Sequence, residues 1–173
     1  SGAAGDTLID ATRAAEPEID RRFKHAPLVC AHLYDTLARV FSQQSDWESA
    51  RNAFAKADAA YHRAHAGGSQ AAIISRLRHA SMEALADTKG SVERARAMIA
   101  AEASKLPSAP PPDPQIAVWL ASARGMTELA GGDLHVALEQ FSRAATLADS
   151  MPAIFDQRTR NKFHQRRAFI YVR

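Results

Sequence analysis

Apolar positions along this chain recur at intervals of three and four residues, the period that places them on one face of a helix. Between Asp46 and Tyr61 they fall at Trp47, Ala50, Phe54, Ala57 and Tyr61, a single stripe. Upstream, Pro27 opens a helix through Phe41, with Cys30, Leu33, Tyr34, Leu37, Val40 and Phe41 in the same rhythm. Proline is favoured there because a first helical turn has no use for its missing donor. Ser45, followed three residues later by Glu48, has the form of a capping box and predicts the start of the next helix. Gly67-Gly68 stops that helix, and Ser69 caps another that runs to Thr88 on Ile73, Ile74, Leu77, Ala80, Ala84 and Leu85. The Gly90-Ser91 turn leads into a helix ending near Leu106. Ile116, Trp119, Leu120, Ala123, Met126 and Leu129 line the next one as far as Gly131-Gly132-Asp133. A helix to about Ala148 follows, and Pro152 or Asp156 starts a last one through Phe163, Ala168, Ile170 and Tyr171. At the other end Asp6 to about Lys24 is helical, and Pro17 inside it predicts a kink or two short helices. Seven or eight helices result, and the fold class is all-α.

Three of these helices repeat one design. DWESARNAFAKADAAY (Asp46 to Tyr61), SVERARAMIAAEAS (Ser91 to Ser104) and DLHVALEQFSRAATLA (Asp133 to Ala148) bring Ala50, Ala95 and Ala137 into register. Four residues on stand Phe54, Ile99 and Phe141, and three beyond those Ala57, Glu102 and Ala144. Two helices packed about 8–10 Å apart need a small side chain where their backbones cross, with large neighbours filling the adjoining gap. In the preceding helices the matching positions are Tyr34, Leu37-Ala38 and Phe41, then His79, Met82-Glu83 and Ala86. In the third copy Gly125 takes the small position, while Arg124 and Glu128 stand where large apolar residues would be.

This pattern resembles the tetratricopeptide (TPR) repeat over about Leu28 to Arg173. The aligned alanines are 45 and 42 residues apart, whereas a standard unit has about 34. The spacing is therefore that of expanded, TPR-like repeats, similar to modules attached to bacterial signalling proteins. The resemblance implies a superhelical array of about three helical hairpins plus a leading and a terminal helix. LIDATRAAEPEIDRRFKHAPLVCAHLYDTLARVF is also similar to the entry segment of TPR regions in bacterial winged-helix regulators and Ser/Thr kinases. In those proteins the region often follows a transmembrane helix. That likeness favours an extracytoplasmic, periplasmic location, with the cytoplasm as the alternative. No DNA-binding or kinase motif is present in this chain, so it implies a sensor or partner-binding portion alone.

Composition changes this picture little. At 46% apolar residues, with abundant alanine and few β-branched runs, one helical domain over residues 6–173 is expected. Residues 1–5 read as an edge outside the fold, and the chain reads as a piece of something longer. Five of the eight residues from Pro107 to Pro114 are proline, which predicts a stiff inter-repeat loop. No stretch approaches the roughly 20 apolar residues that span a bilayer. The net charge of +3 hides an asymmetry. Arg158, Arg160, Lys162, Arg166, Arg167 and Arg173 put +6 into the last sixteen residues, so the preceding 157 carry −3. The single cysteine, Cys30, excludes an intrachain disulfide and lies among apolar neighbours, as a buried inert thiol does.

Candidate chemistry is sparse. No phosphate-cradling glycine loop, HExxH, GxSxG or paired-cysteine motif occurs. His62 and His65 are three apart near a helix end, too few ligands for zinc. No metal, cofactor or enzymatic activity is predicted, and the expected partner is a protein or peptide. The TPR resemblance implies a concave face lined by the first helix of each hairpin. Carried over, it names His32, Asp35, Arg39, Ser42 and Gln43 in the first repeat, and Leu77, Ala80, Ala84, Asp87 and Thr88 in the second. In the third it names Trp119, Ser122, Met126, Leu129 and Ala130, and in a fourth Lys162, Gln165 and Phe169. Trp119, Met126 and Leu129 fit equally well as core. The terminal basic cluster has two readings: a solvated helix face, or a patch for nucleic acid or an anionic surface. An unrecognised small-molecule or enzymatic site in a helical bundle is the third alternative.

Overall fold

The computed structural model describes residues 3–86, 88–107 and 113–171, with side chains of the first helix from Asp10 onward. Among the described residues the regular structure is eight α-helices. They are α1 (Ala3–Arg22), α2 (Pro27–Gln43), α3 (Trp47–Arg63), α4 (Gln70–Leu85), α5 (Ser91–Ala103), α6 (Pro114–Gly131), α7 (Leu134–Asp149) and α8 (Gln157–Tyr171). No helix is long and apolar enough to cross a membrane among these residues. Of the proline-rich connector, residues 108–112 lie outside the described set.

Side chains set most of the boundaries. Asp46, Asp113 and Asp133 accept the backbone N–H of Ser49, Gln115 and Val136, and Asp156 accepts that of Thr159. Pro114 occupies the first turn of α6 as Pro27 does in α2. Gly90 and Gly132 take left-handed φ values of 75° and 86°, which turn the chain into α5 and α7.

Three expectations change. Asp46, and not Ser45, caps α3: Ser45 lies in the left-handed region at φ 60°, where it completes the turn out of α2. The third helix ends at Arg63, ahead of Gly67-Gly68, because His65 makes the left-handed turn at φ 53°. The first helix starts at Ala3 and is one helix with Pro17 inside it, not two short ones. Packing holds both sides of the proline, since Ile19 is buried against α2 and Tyr34 donates its hydroxyl to the Glu16 carbonyl.

The chain divides into two compact units at Met82/Glu83, inside α4. In the first, α2 and α3 fold back on each other across Ala38, Phe41, Ala50, Ala53 and Phe54, with Met82 closing the cluster. A second cluster joins Ile19, Cys30, Tyr34, Ala57, Tyr61 and Ala72. The Cys30 thiol is buried and donates to the Phe23 carbonyl.

In the second unit α6 and α7 meet at Met126, Ala137 and Phe141, joined by Ile170 of α8. Val118, Ala121, Ala144, Ala148, Phe155 and Phe163 form the other core. The aligned positions are all buried: Ala50, Ala95 and Ala137, then Phe54, Ile99 and Phe141, then Ala57, Glu102 and Ala144. Where the register puts a charge inside, a partner comes with it. Glu102 meets Lys105 at 2.7 Å, and Glu83, in the small position of its helix, meets Arg94 at 2.6 Å.

Candidate functional site

Helices α6 and α8 flank α7 in the second unit, and their side chains meet directly. Phe163 of α8 is buried and lies edge-on to Trp119 of α6, ring centres 5.9 Å apart. That contact anchors one end of the pair. Further along, Met126 and Leu129 of α6 and Lys162, Gln165, Arg166 and Phe169 of α8 line a cavity of about 300 Å³. Phe169 is 49% exposed at its rim. Arg166 reaches across to α6, where its Nη1 donates to Ser122 Oγ at 2.6 Å. Ser122 is 1% exposed, so the guanidinium enters a mostly dry region. Burial pushes the Arg166 pKa down from its ordinary value, and among the described residues no acidic neighbour opposes the shift. The cavity thus offers an apolar wall, two cationic side chains and an amide, with no carboxylate among the described residues that line it.

Two other concavities hold closed ion pairs. The one between α5, α6 and α7, of about 250 Å³, contains Arg96 held by both oxygens of Glu128. The one beside α1 and α3 contains Lys56 paired with Glu16 at 2.9 Å.

The first-repeat candidates sit around a different arrangement. Asp35 is buried, and its Oδ2 meets Arg78 Nη1 of α4 at 3.1 Å and Arg39 Nε at 3.3 Å. Burial pushes the Arg78 pKa down, and the Asp35 charge works against that push. His32 Nδ1 lies 3.3 Å from the Tyr61 hydroxyl. Ser42 donates to the Ala38 carbonyl, and Gln43 is exposed. In the second repeat Leu77, Ala80 and Ala84 are buried as packing residues, and Asp87 lies outside the described residues.

Along α8 the basic residues divide. Arg158, Lys162 and Arg166 follow at four-residue steps, while Arg160 and Arg167 stand about half a turn round the helix. Arg160 donates to Gln157, Lys162 is exposed, Arg166 turns inward, and Arg173 lies outside the described residues. Among the described residues no three His, Cys, Asp or Glu side chains gather as a metal site. His62 is 3.7 Å from Asp58 on the exposed side of α3.

The structure therefore brings Met126, Lys162 and Gln165 together around one cavity, with Ser122 and Trp119 bonded or packed to its α8 wall. Two side-chain contacts escape the sequence pattern. Arg78 is the counter-charge of Asp35, and Arg166 faces inward, whereas Arg158 and Lys162 of the same stripe are exposed. The usable signal for both is an arginine in the helix two places along from a polar residue in the shared register. Comparison with protein-family models, with curated proteins and with solved structures finds no match to this chain.

Proposed function

We propose that this chain is a partner-binding module built on TPR-like hairpins, and that the groove between α6 and α8 receives an extended segment of a protein partner. The observation that carries this reading is the convergence of Met126, Leu129, Lys162, Gln165 and Phe169 on one open cavity. Those positions come from two separate helices, α6, which pairs with α7, and the terminal helix α8. An apolar wall with a few placed polar groups suits a peptide side chain and backbone together. Binding is favoured over catalysis at this cavity because, among the described residues, its lining offers no nucleophile with an adjacent base. The similarity of the entry segment to TPR regions of bacterial regulators supports a place in the sensory or scaffolding portion of a larger regulatory protein.

The test is selection of a random nine-residue peptide library on the full chain, followed by affinity measurements on the enriched peptides. Phe169→Ser and Gln165→Arg change exposed rim positions and are expected to weaken binding at least tenfold. Asn52→Ala, in the other unit, is expected to leave it unchanged. Failure to enrich any peptide, or binders indifferent to both rim substitutions, would overturn the reading.

A further inference from the structure

The two units answer the same structural question differently. In the first, Asp35 lies three residues before Ala38, the small crossing residue of α2. In the second, Ser122 lies three residues before Gly125, the small crossing residue of α6. Each receives a guanidinium from the helix two places along the chain: Arg78 of α4 in one case, Arg166 of α8 in the other. Asp35 supplies a full negative charge to its arginine. Ser122 supplies only a hydroxyl, which accepts a hydrogen bond but neutralises nothing.

Among the described residues no carboxylate pairs with Arg166, and none lines the cavity it enters. Lys162, one turn back on the same side of α8, adds a second positive charge. Met126, Leu129 and Phe169 stand beside them as an apolar wall. A guanidinium in a low-dielectric site gains most from a carboxylate that can meet its planar donors.

We propose that the α6–α8 groove takes a side-chain carboxylate of its partner, an Asp or Glu beside an apolar residue, with Arg166 as the receiving cation. The inference rests on the partner-binding reading above. It is a side chain, and not a chain terminus, because the equivalent place in the first unit is filled by an aspartate projecting from a packed helix. The apolar neighbour would lie on Met126, Leu129 and Phe169.

Two measurements on the full chain test it. Acetate is titrated into the isotope-labelled protein while the Arg166 Nε–Hε NMR resonance is followed. A saturable shift is expected with acetate and not with acetamide. The shift should vanish in Ser122→Asp, where the new carboxylate meets Arg166 from within. Equal responses to acetate and acetamide, or none to either, overturn the proposal without relying on any variant.

The second measurement uses the random nine-residue library acetylated and amidated at its ends, beside the same library with free carboxyl termini. Enrichment of an acidic residue next to an apolar one in the capped library is expected, with Glu→Gln in the selected peptide weakening binding at least tenfold. Binders with no acidic position overturn the proposal and leave the groove reading standing. Enrichment confined to free termini overturns the side-chain source. A response to acetate with no peptide enriched overturns the partner reading and the proposed occupant together.

Discussion

A Cβ placed on Gly125 would lie 2.7 Å from both Cδ1 and Cε1 of Phe141. The α6 backbone comes this close to the α7 ring because position 125 has no side chain, and the ring itself is fully buried. Alanine normally favours a helix interior over glycine by about 0.8–1 kcal/mol. Here overpacking of about 1–3 kcal/mol opposes that gain. Gly125→Ala is therefore expected to lower stability in urea unfolding, and Phe141→Leu in the same background to recover part of the loss. A Gly125→Ala protein as stable as wild type would show that the close approach is relaxed in solution.

Asp46 predicts a pH effect. Burial raises its pKa, but the Ser49 hydrogen bonds and Arg13 outweigh burial and hold it below the usual carboxylate range. A depressed folded pKa stabilises the fold above the unfolded value, about pH 4, and that contribution fades as the pH falls through the folded value. Asp46→Ala is expected to cost about 1 kcal/mol at pH 6 as a lost cap. The gap from wild type should narrow at pH 2.5. Denaturation at the two pH values checks this, and a gap that is constant or wider in acid would contradict it.

Glu83 and Arg94 form the third case. The Glu83 side chain is almost fully buried, while Arg94 is about half exposed. Removing the arginine takes a partner from a buried carboxylate, so Arg94→Ala is expected to cost about 1–3 kcal/mol. In the repeat register position 83 is a small-residue site, as Ala38 is in α2. The Glu83→Ala/Arg94→Ala double variant should accordingly be more stable than Arg94→Ala alone. A double variant that is less stable than the single one would mean that Glu83 supports the fold independently of Arg94.

Asp35→Asn removes the counter-charge of Arg78 and Arg39 together. Breaking a fully buried pair costs roughly 3–5 kcal/mol, and the partial exposure of Arg78 puts this case at about 2–3 kcal/mol. Thermal unfolding reads the loss. A change within experimental error would remove the ion pair as a stabilising element of the first unit.

Local pattern made the helices legible, because apolar spacing and capping residues are short-range properties. It also located Ala50, Ala95 and Ala137, since close helix crossings leave a small residue at a fixed distance from a large one. The choice between Ser45 and Asp46 as a cap was not local: both are good caps, and the turn out of α2 decides which has the right backbone. Leu77 shares its register position with His32 and Trp119, yet it is buried, because what covers a helix face comes from elsewhere in the chain. Arg166 is the clearest example. In sequence it is one member of a basic run, and its inward course depends on Ser122, 44 residues earlier. Pairing over that distance leaves no periodic trace.

The two tryptophans fall one to each compact unit, Trp47 in the first and Trp119 in the second. Each unit therefore carries its own fluorophore. With Trp47→Phe, emission comes from Trp119 alone, lying edge-on to Phe163 at the anchored end of the α6–α8 pair. With Trp119→Phe, it comes from Trp47 beside the α2–α3 cluster. Two single-tryptophan proteins thus give separate optical records of unfolding in each half.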